Sequence, residues 1–211
     1  MTLIGMFDSP FVRSVAISLK MFAIPFEHLN WSVGKDFDRI REFNPLGRVP
    51  TLVLDDGEVL IESSAMLDYL DERVGPQRAL LPASGAERRT ALRIIALAFG
   101  AAEKSRDQIY ERTFKPQEKW HQPWIDRCHL QMQGALEELE RIASQKGEGQ
   151  WLVGGRFTRA DLMVACIFTV LRDALDPLLQ KQFPKLAAHL QRCDALPEFR
   201  ATYLPWSEPK S

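Results

Sequence analysis

Asn44-Pro45-Leu46-Gly47-Arg48-Val49-Pro50-Thr51-Leu52, followed by Glu62-Ser63-Ser64, places a turn, a Val-Pro bond before a strand, and an acidic-hydroxyl pair opening a helix within one short span. Alone, its first half reads as a Pro/Gly turn between two elements. The flanking sequence gives it a context. Residues 2–7 read as a short apolar strand, and after Ser9-Pro10 the apolar positions Val12, Val15, Ala16 and Leu19 recur at helical spacing. A second strand is predicted within 24–31, with Pro25 at its start where a missing N–H costs least. Phe37, Ile40 and Phe43 predict a short helix before Asn44. Residues 51–54 and 59–61 flank Asp55-Asp56-Gly57, a hairpin signal because Asp-Gly tolerates the positive φ such turns demand. Met66, Leu67, Leu70 and Val74 mark a third helix that stops at Gly75-Pro76.

The order β-α-β-α-β-β-α over residues 1–75 describes an α/β domain with a parallel crossover first and an antiparallel hairpin last. Residues 76–86 read as a Gly/Pro-punctuated linker, and residues 87–211 as an all-helical domain. Its apolar stripes are predicted at Leu92, Ile95, Ala96 and Phe99, and at Leu130, Ala135, Leu136 and Leu139. Thr158 and Asp161 read as a shortened capping box, with Phe157 and Leu162 as a hydrophobic staple. The run from Leu162 to Leu171 has almost no polar face, which predicts a buried central helix.

Composition narrows the function classes. The 211 residues are 45% apolar and 26% charged, ordinary for a globular protein with a sizeable core. A formal net charge of −1, with both signs mixed along the chain, gives no basic face for nucleic acid or anionic lipid. Cys128, Cys166 and Cys193 lack redox or zinc spacing and fit a reducing cytoplasm. The N-terminal residues do not read as a signal peptide, and no long uncharged apolar run predicts a membrane span. His28, His121, His129 and His189 have no metal-ligand spacing, so no metal is expected. Neither a Gly-x-Ser-x-Gly elbow nor a phosphate-binding Gly-rich loop is present.

Ser-Pro at the first helix, Asn-Pro-x-Gly-x-Val-Pro before the third strand, Glu-Ser at the third helix and the Thr158/Asp161 start occur in an order that resembles the cytosolic glutathione transferases. The terminal Phe183-Pro184-Lys185-Leu186 and Ala195-Leu196-Pro197-Glu198-Phe199 segments resemble that family's last helices, so the likeness spans nearly the whole chain. The local Ser9-Pro10-Phe11-Val12-Arg13 is similar to the serine-type branches, bacterial or tau-like. The resemblance implies a thioredoxin-like N-terminal domain, a C-terminal helical bundle, a homodimer, and a cytoplasmic role in detoxification. It implies glutathione as co-substrate with no further cofactor, and an adjoining pocket for a hydrophobic electrophile.

Residue roles follow from that likeness. Glutathione thiol, like free cysteine, ionises at about pH 8.5, so activating it means stabilising the anion. Ser9 before Pro10 is by itself a good N-cap; in the serine-type branches such a hydroxyl donates to the glutathione sulfur. Ser14 is a second candidate, one turn inside the helix. No Cys precedes Cys128, which disfavours mixed-disulfide chemistry. The resemblance implies a cis Val49-Pro50 bond, found at only about one X-Pro in twenty, with the Val49 backbone pairing to the cysteinyl unit like an added strand. It implies that Ser63 binds the γ-glutamyl carboxylate and that Glu62 accepts from its ammonium; Arg48, where many relatives carry Gln or Lys, and Lys35, in the segment before the second helix, are candidates for the glycyl carboxylate, and Arg48 alone reads as a solvated side chain. Without the resemblance, Ser63 or Ser64 reads as a plain N-cap. Phe11, Tyr110, Phe114 and Trp120 are candidates for the electrophile pocket, although aromatic residues at such spacing also build cores. Two other classes stay open: a glutathione-dependent isomerase or dehalogenase, and a non-catalytic transferase-like binding or stress protein. The Ser-Ser-Cys motif of the maleylacetoacetate-isomerase branch is absent, and retention of Arg48, Val49-Pro50, Glu62 and Ser63 argues against a dead site.

Overall fold

The computed structural model describes residues 1–147 and 149–206; the last five residues of the expected helical domain lie outside the described residues. In chain order the elements are β1 (Thr2–Ile4), α1 (Pro10–Met21), β2 (Glu27–Leu29), α2 (Phe37–Arg41), β3 (Thr51–Val53), β4 (Val59–Ile61) and α3 (Ser63–Val74). Then come α4 (Gly85–Thr113), a single 3-10 turn at Gln117–Lys119, α5 (Gln122–Ser144), α6 (Arg159–Ala174), α7 (Leu179–Gln182), α8 (Pro184–Asp194) and α9 (Pro197–Arg200). The chain forms two compact units, one of Met1–Leu80 with residues 194–206, the other Leu81–Cys193. Two expected boundaries move. Helix α4 begins at Gly85, inside the predicted 76–86 linker, and the C-terminal segment packs with the first unit because α9 lies on α1.

The first unit is thioredoxin-like. Its sheet has the order β2-β1-β3-β4, with β1 parallel to β2 and antiparallel to β3, and β3 antiparallel to β4. The first three strands keep only three residues of the longer spans predicted from apolar character, and β4 covers the predicted 59–61. After Ile4 the chain leaves the extended conformation at Gly5, whose φ is +131°. Leu3, Ile4 and Leu52 of the sheet, Val15, Ala16 and Leu19 of α1, and Met66 and Leu70 of α3 are all fully buried and form the core. Predicted helix stops hold as well: Gly75 caps α3 with φ +79°.

In the second unit α4 packs on α5 and α6. Its buried face is Ala91, Ile94, Ala98, Ala101 and Ala102, one position out of step with the predicted stripe, and Leu92 is 43% exposed. Alanines let neighbouring helices approach closely, so the packed side of α4 is marked by small residues rather than large apolar ones. Helix α5 buries Ile125, Cys128, Met132, Leu136 and Leu139, whereas the predicted Leu130 faces outward at 71% exposure. Helix α6 is buried at every position from Arg159 to Thr169, as its unbroken apolar run predicts. Its capping box is present: the Thr158 backbone N–H and hydroxyl each donate to Asp161 Oδ2 at 2.8 Å, and the Leu152 N–H donates to Oδ1 at 2.8 Å. Among the described residues, no helix is long and apolar enough to cross a membrane.

Candidate functional site

Strand register brings the candidate residues of the first unit to one end of the sheet. Leu29, Ile4, Thr51 and Ile61 lie in a single row across the four strands. From that row the chain leaves Ile4 toward Ser9, leaves Leu29 toward Lys35, enters Thr51 from Arg48-Val49-Pro50, and leaves Ile61 into Glu62-Ser63. Two helices, α1 and α3, therefore begin at the same end of the sheet, where free backbone N–H groups and the helix dipoles favour negative charge.

Ser9 is the N-cap of α1, with φ −73° and ψ 124°, and Pro10 takes the first helical position. Its half-buried Oγ accepts from the Val12 N–H at 3.5 Å, a long bond that leaves the hydroxyl hydrogen to donate, and none of the described residues takes it. Ser14 differs. It is fully buried, and its hydroxyl donates to the Phe11 carbonyl at 2.9 Å.

The Val49-Pro50 peptide is cis. The turn before it is braced by Asn44, a residue to which the sequence reading gave no role. Buried Asn44 donates from Nδ2 to the Arg48 carbonyl at 2.8 Å and to Thr51 Oγ1 at 3.2 Å, while its Oδ1 accepts from the Leu46 N–H at 3.0 Å. An Asn preceding Pro in a turn is the signal that marks such a brace. Gly47 needs its small size, because a Cβ there would lie 2.3 Å from the Phe37 ring. Gly5 is similarly constrained: a Cβ would lie 2.6 Å from Val12 Cγ2 and 2.8 Å from Val49 Cβ. The loop carrying Ser9, the first turn of α1 and Val49 thus meet at Gly5. His28, one of the four histidines without metal-ligand spacing, supports this loop by stacking on Phe7 at 3.9 Å, with Nε2 2.7 Å from the Gly5 carbonyl.

At α3 the N-cap is Glu62, whereas the sequence favoured Ser63 or Ser64. Glu62 has φ +73°, a conformation rare for a residue with a Cβ, and its Oε1 accepts from the Ser63 N–H at 3.1 Å and the Ser63 hydroxyl at 3.4 Å. Such a backbone fits a site that over-determines it. Glu62 is exposed and Ser63 buried, so the carboxylate faces solvent while the hydroxyl lies beneath it. Arg48 and Lys35 are exposed and make no ion pair among the described residues.

Of the aromatic candidates, Phe11 is half-buried in the first unit. In the second, Tyr110 and Phe114 at the end of α4 are 43% and 61% exposed and meet edge to face at 5.1 Å. Trp120 donates its indole N–H to the Lys115 carbonyl at 2.9 Å. The α4–α5 connection is held by Glu111, which accepts from Lys115 Nζ at 2.7 Å and from the His121 N–H at 3.1 Å. Those bonds, the lysine's first, hold its carboxyl below the usual range.

Residues 3–78 match the family model of the glutathione S-transferase N-terminal domain, and residues 103–204 that of the C-terminal domain. Glutathione S-transferase GstA of Escherichia coli O157:H7 is 31% identical over 74% of this chain and 72% of its own length. The maleylacetoacetate isomerase of Pseudomonas aeruginosa is 29% identical over 92% of this chain and 91% of its own. A glutathione S-transferase of Methylobacterium radiotolerans, solved in complex with glutathione sulfonate, superposes with a TM-score of 0.88 at 28% identity, covering 98% of this chain and 95% of that one.

Proposed function

Because the chain belongs to the glutathione S-transferase family, we propose that it binds glutathione at the shared end of the sheet and holds its thiolate with the Ser9 hydroxyl for attack on a hydrophobic electrophile. The observation that carries this reading is the Ser9 hydroxyl itself: partly accessible, at a helix N-terminus, with its hydrogen uncommitted among the described residues. Buried Ser14, whose hydroxyl is spent on Phe11, is the poorer donor. The protein is thus read as a serine-type transferase.

In this reading the thiol proton passes to solvent and the sulfur keeps the electron pair. Lowering the thiol pKa by two units requires about 2.7 kcal/mol of preference for the anion. One or two charge-assisted hydrogen bonds near a helix N-terminus supply that much. With an aryl halide, the C–S bond forms from the thiolate pair and the halide departs with the electrons of the C–halogen bond. Val49 pairs its backbone with the cysteinyl unit next to Pro50, Glu62 accepts from the γ-glutamyl ammonium, Ser63 with the α3 N-terminus holds the adjacent carboxylate, and Arg48 and Lys35 serve the glycyl carboxylate. Phe11, Tyr110, Phe114 and Trp120 are the aromatic surfaces assigned to the electrophile. A cytoplasmic homodimer acting in detoxification belongs to the same proposal, and a monomer in sedimentation at micromolar concentration would remove that part.

A conjugation assay with an aryl halide tests the chemistry. Ser9→Ala should lower kcat by about a hundredfold, the usual effect of removing one donor to a developing anion, and Ser63→Ala should raise the glutathione KM by about tenfold. Unchanged turnover in Ser9→Ala would remove Ser9 from the mechanism. Isomerisation by the same thiolate is the second reading, favoured by the likeness to the Pseudomonas isomerase; faster turnover of a cis-unsaturated diacid than of any aryl halide would install it.

A further inference from the structure

Arg13 lies one helical turn beyond Ser9, and its backbone N–H donates to the Ser9 carbonyl at 2.9 Å, closing the first turn of α1. Its side chain is only 2% exposed. A guanidinium cannot shed its charge, so burial demands partners. Those given by the structure come from the far end of the chain. Arg13 NH2 donates to the Phe199 carbonyl at 3.2 Å and lies 3.6 Å from Asp194 Oδ1. The guanidinium carbon is 5.5 Å from the ring centroids of both Phe199 and Tyr203, within cation–π range. Residues 194–206 belong to the first compact unit, and α9 packs on α1. This segment is therefore tied to the same turn that presents Ser9.

We propose that Arg13 is a positioning residue: by anchoring the 194–203 segment to α1, it fixes the first helical turn and so the direction of the Ser9 hydroxyl. The proposal rests on the reading of Ser9 as the donor to the glutathione thiolate. Coupling runs through covalent and hydrogen-bonded structure on one helix, from the Phe199 carbonyl and the two rings through the guanidinium to the Arg13 N–H and the Ser9 carbonyl. Arg13 does not need to touch glutathione. Its loss is expected in kcat and in the thiol pKa, since those report hydroxyl alignment, while glutathione affinity, carried elsewhere on the sheet end, stays.

The test compares the full-length wild type with Arg13→Lys, Tyr203→Ala, Tyr203→Phe and Ser9→Ala. It measures the pKa of enzyme-bound glutathione by thiolate absorbance, kcat and KM with an aryl halide, and amide hydrogen exchange at Val12 and Arg13. Arg13→Lys keeps the charge but loses the planar fork, and should raise the bound-thiol pKa by about one unit and lower kcat about tenfold, with the glutathione KM within about twofold of wild type. Tyr203 is 46% exposed, so its truncation spares the core. Tyr203→Ala should shift the same quantities in the same direction by a smaller factor and speed exchange at both amides, and Tyr203→Phe, which keeps the ring, should restore them. If Arg13→Lys and Tyr203→Ala lower only the melting temperature, leaving thiol pKa and kcat at wild-type values while Ser9→Ala moves them, Arg13 is a packing residue and the proposal fails. If Ser9→Ala itself leaves the thiol pKa unmoved, the underlying reading of Ser9 fails, and the positioning role falls with it.

Discussion

Asn44 spends its amide on three neighbours of its own turn while only 1% exposed. Truncation to alanine removes the acceptor of the Leu46 N–H, on a residue that is itself exposed, and loosens the Arg48 carbonyl, which among the described residues keeps the Thr51 hydroxyl at 3.1 Å. Each hydrogen bond lost typically costs about 0.5–1.5 kcal/mol. Asn44→Ala is thus expected to lower stability by about 2 kcal/mol in urea denaturation and to weaken glutathione binding through the Arg48-Val49 turn; a midpoint equal to wild type would show that the turn stands without its brace. The Pro/Gly punctuation around Asn44 was legible in the sequence because turn chemistry is local. The burial of Arg13 was not, since its partners lie on a segment far along the chain. Ser63 shows the same limit: an N-cap at that position is the natural local reading, yet the turn places Glu62 there with positive φ.

At the scale of elements, α6 depends on its capping box. Asp161 is fully buried and accepts three hydrogen bonds, from the Leu152 N–H, the Thr158 N–H and the Thr158 hydroxyl. Asp161→Ala orphans these donors and is expected to cost about 3–4 kcal/mol, against about 1–2 for Thr158→Ala, as read from chemical denaturation. His189 of α8 packs against the same turn, with Nε2 3.2 Å from the Asp161 carbonyl, the Trp151 ring edge-on at 6.1 Å, and Arg192 3.2 Å from Nδ1. Burial, above all, holds the His189 pKa below its usual value, against the opposing pull of Asp161. An unfolded histidine takes its proton near about pH 6.5. Between that pH and the lower folded value only the unfolded chain binds the proton, so the stabilisation is complete above about pH 6.5 and is lost on acidification. Urea midpoints should fall from about pH 7.5 to about pH 5.5, and His189→Gln should flatten that slope; an equal slope in the variant would assign it to other groups. The helix start at Thr158 was legible because a capping box is a four-residue pattern. The packed face of α4 was not, because Ala91, Ala98, Ala101 and Ala102 pack by being small, and apolar size alone pointed to Leu92.

For the whole molecule, the alternation of strands and helices followed by helices alone identifies the architecture, and the register row Leu29, Ile4, Thr51, Ile61 explains why motifs distant in sequence share one end of the sheet. Pairing order is what hydrophobic periodicity leaves open: it predicts that strands exist but not that β1 lies between β2 and β3. The same limit applies to residues 194–206, whose helical pattern is visible in the sequence while their packing on α1 is a tertiary fact. If this sheet end is a glutathione site, calorimetric titration of the protein with glutathione detects it without any assumption about the second substrate. The expected result is one site per chain saturating at or below about millimolar glutathione, weakened about tenfold by Ser63→Ala. Absence of any heat of binding at millimolar glutathione, in a protein that is folded by circular dichroism, would contradict it.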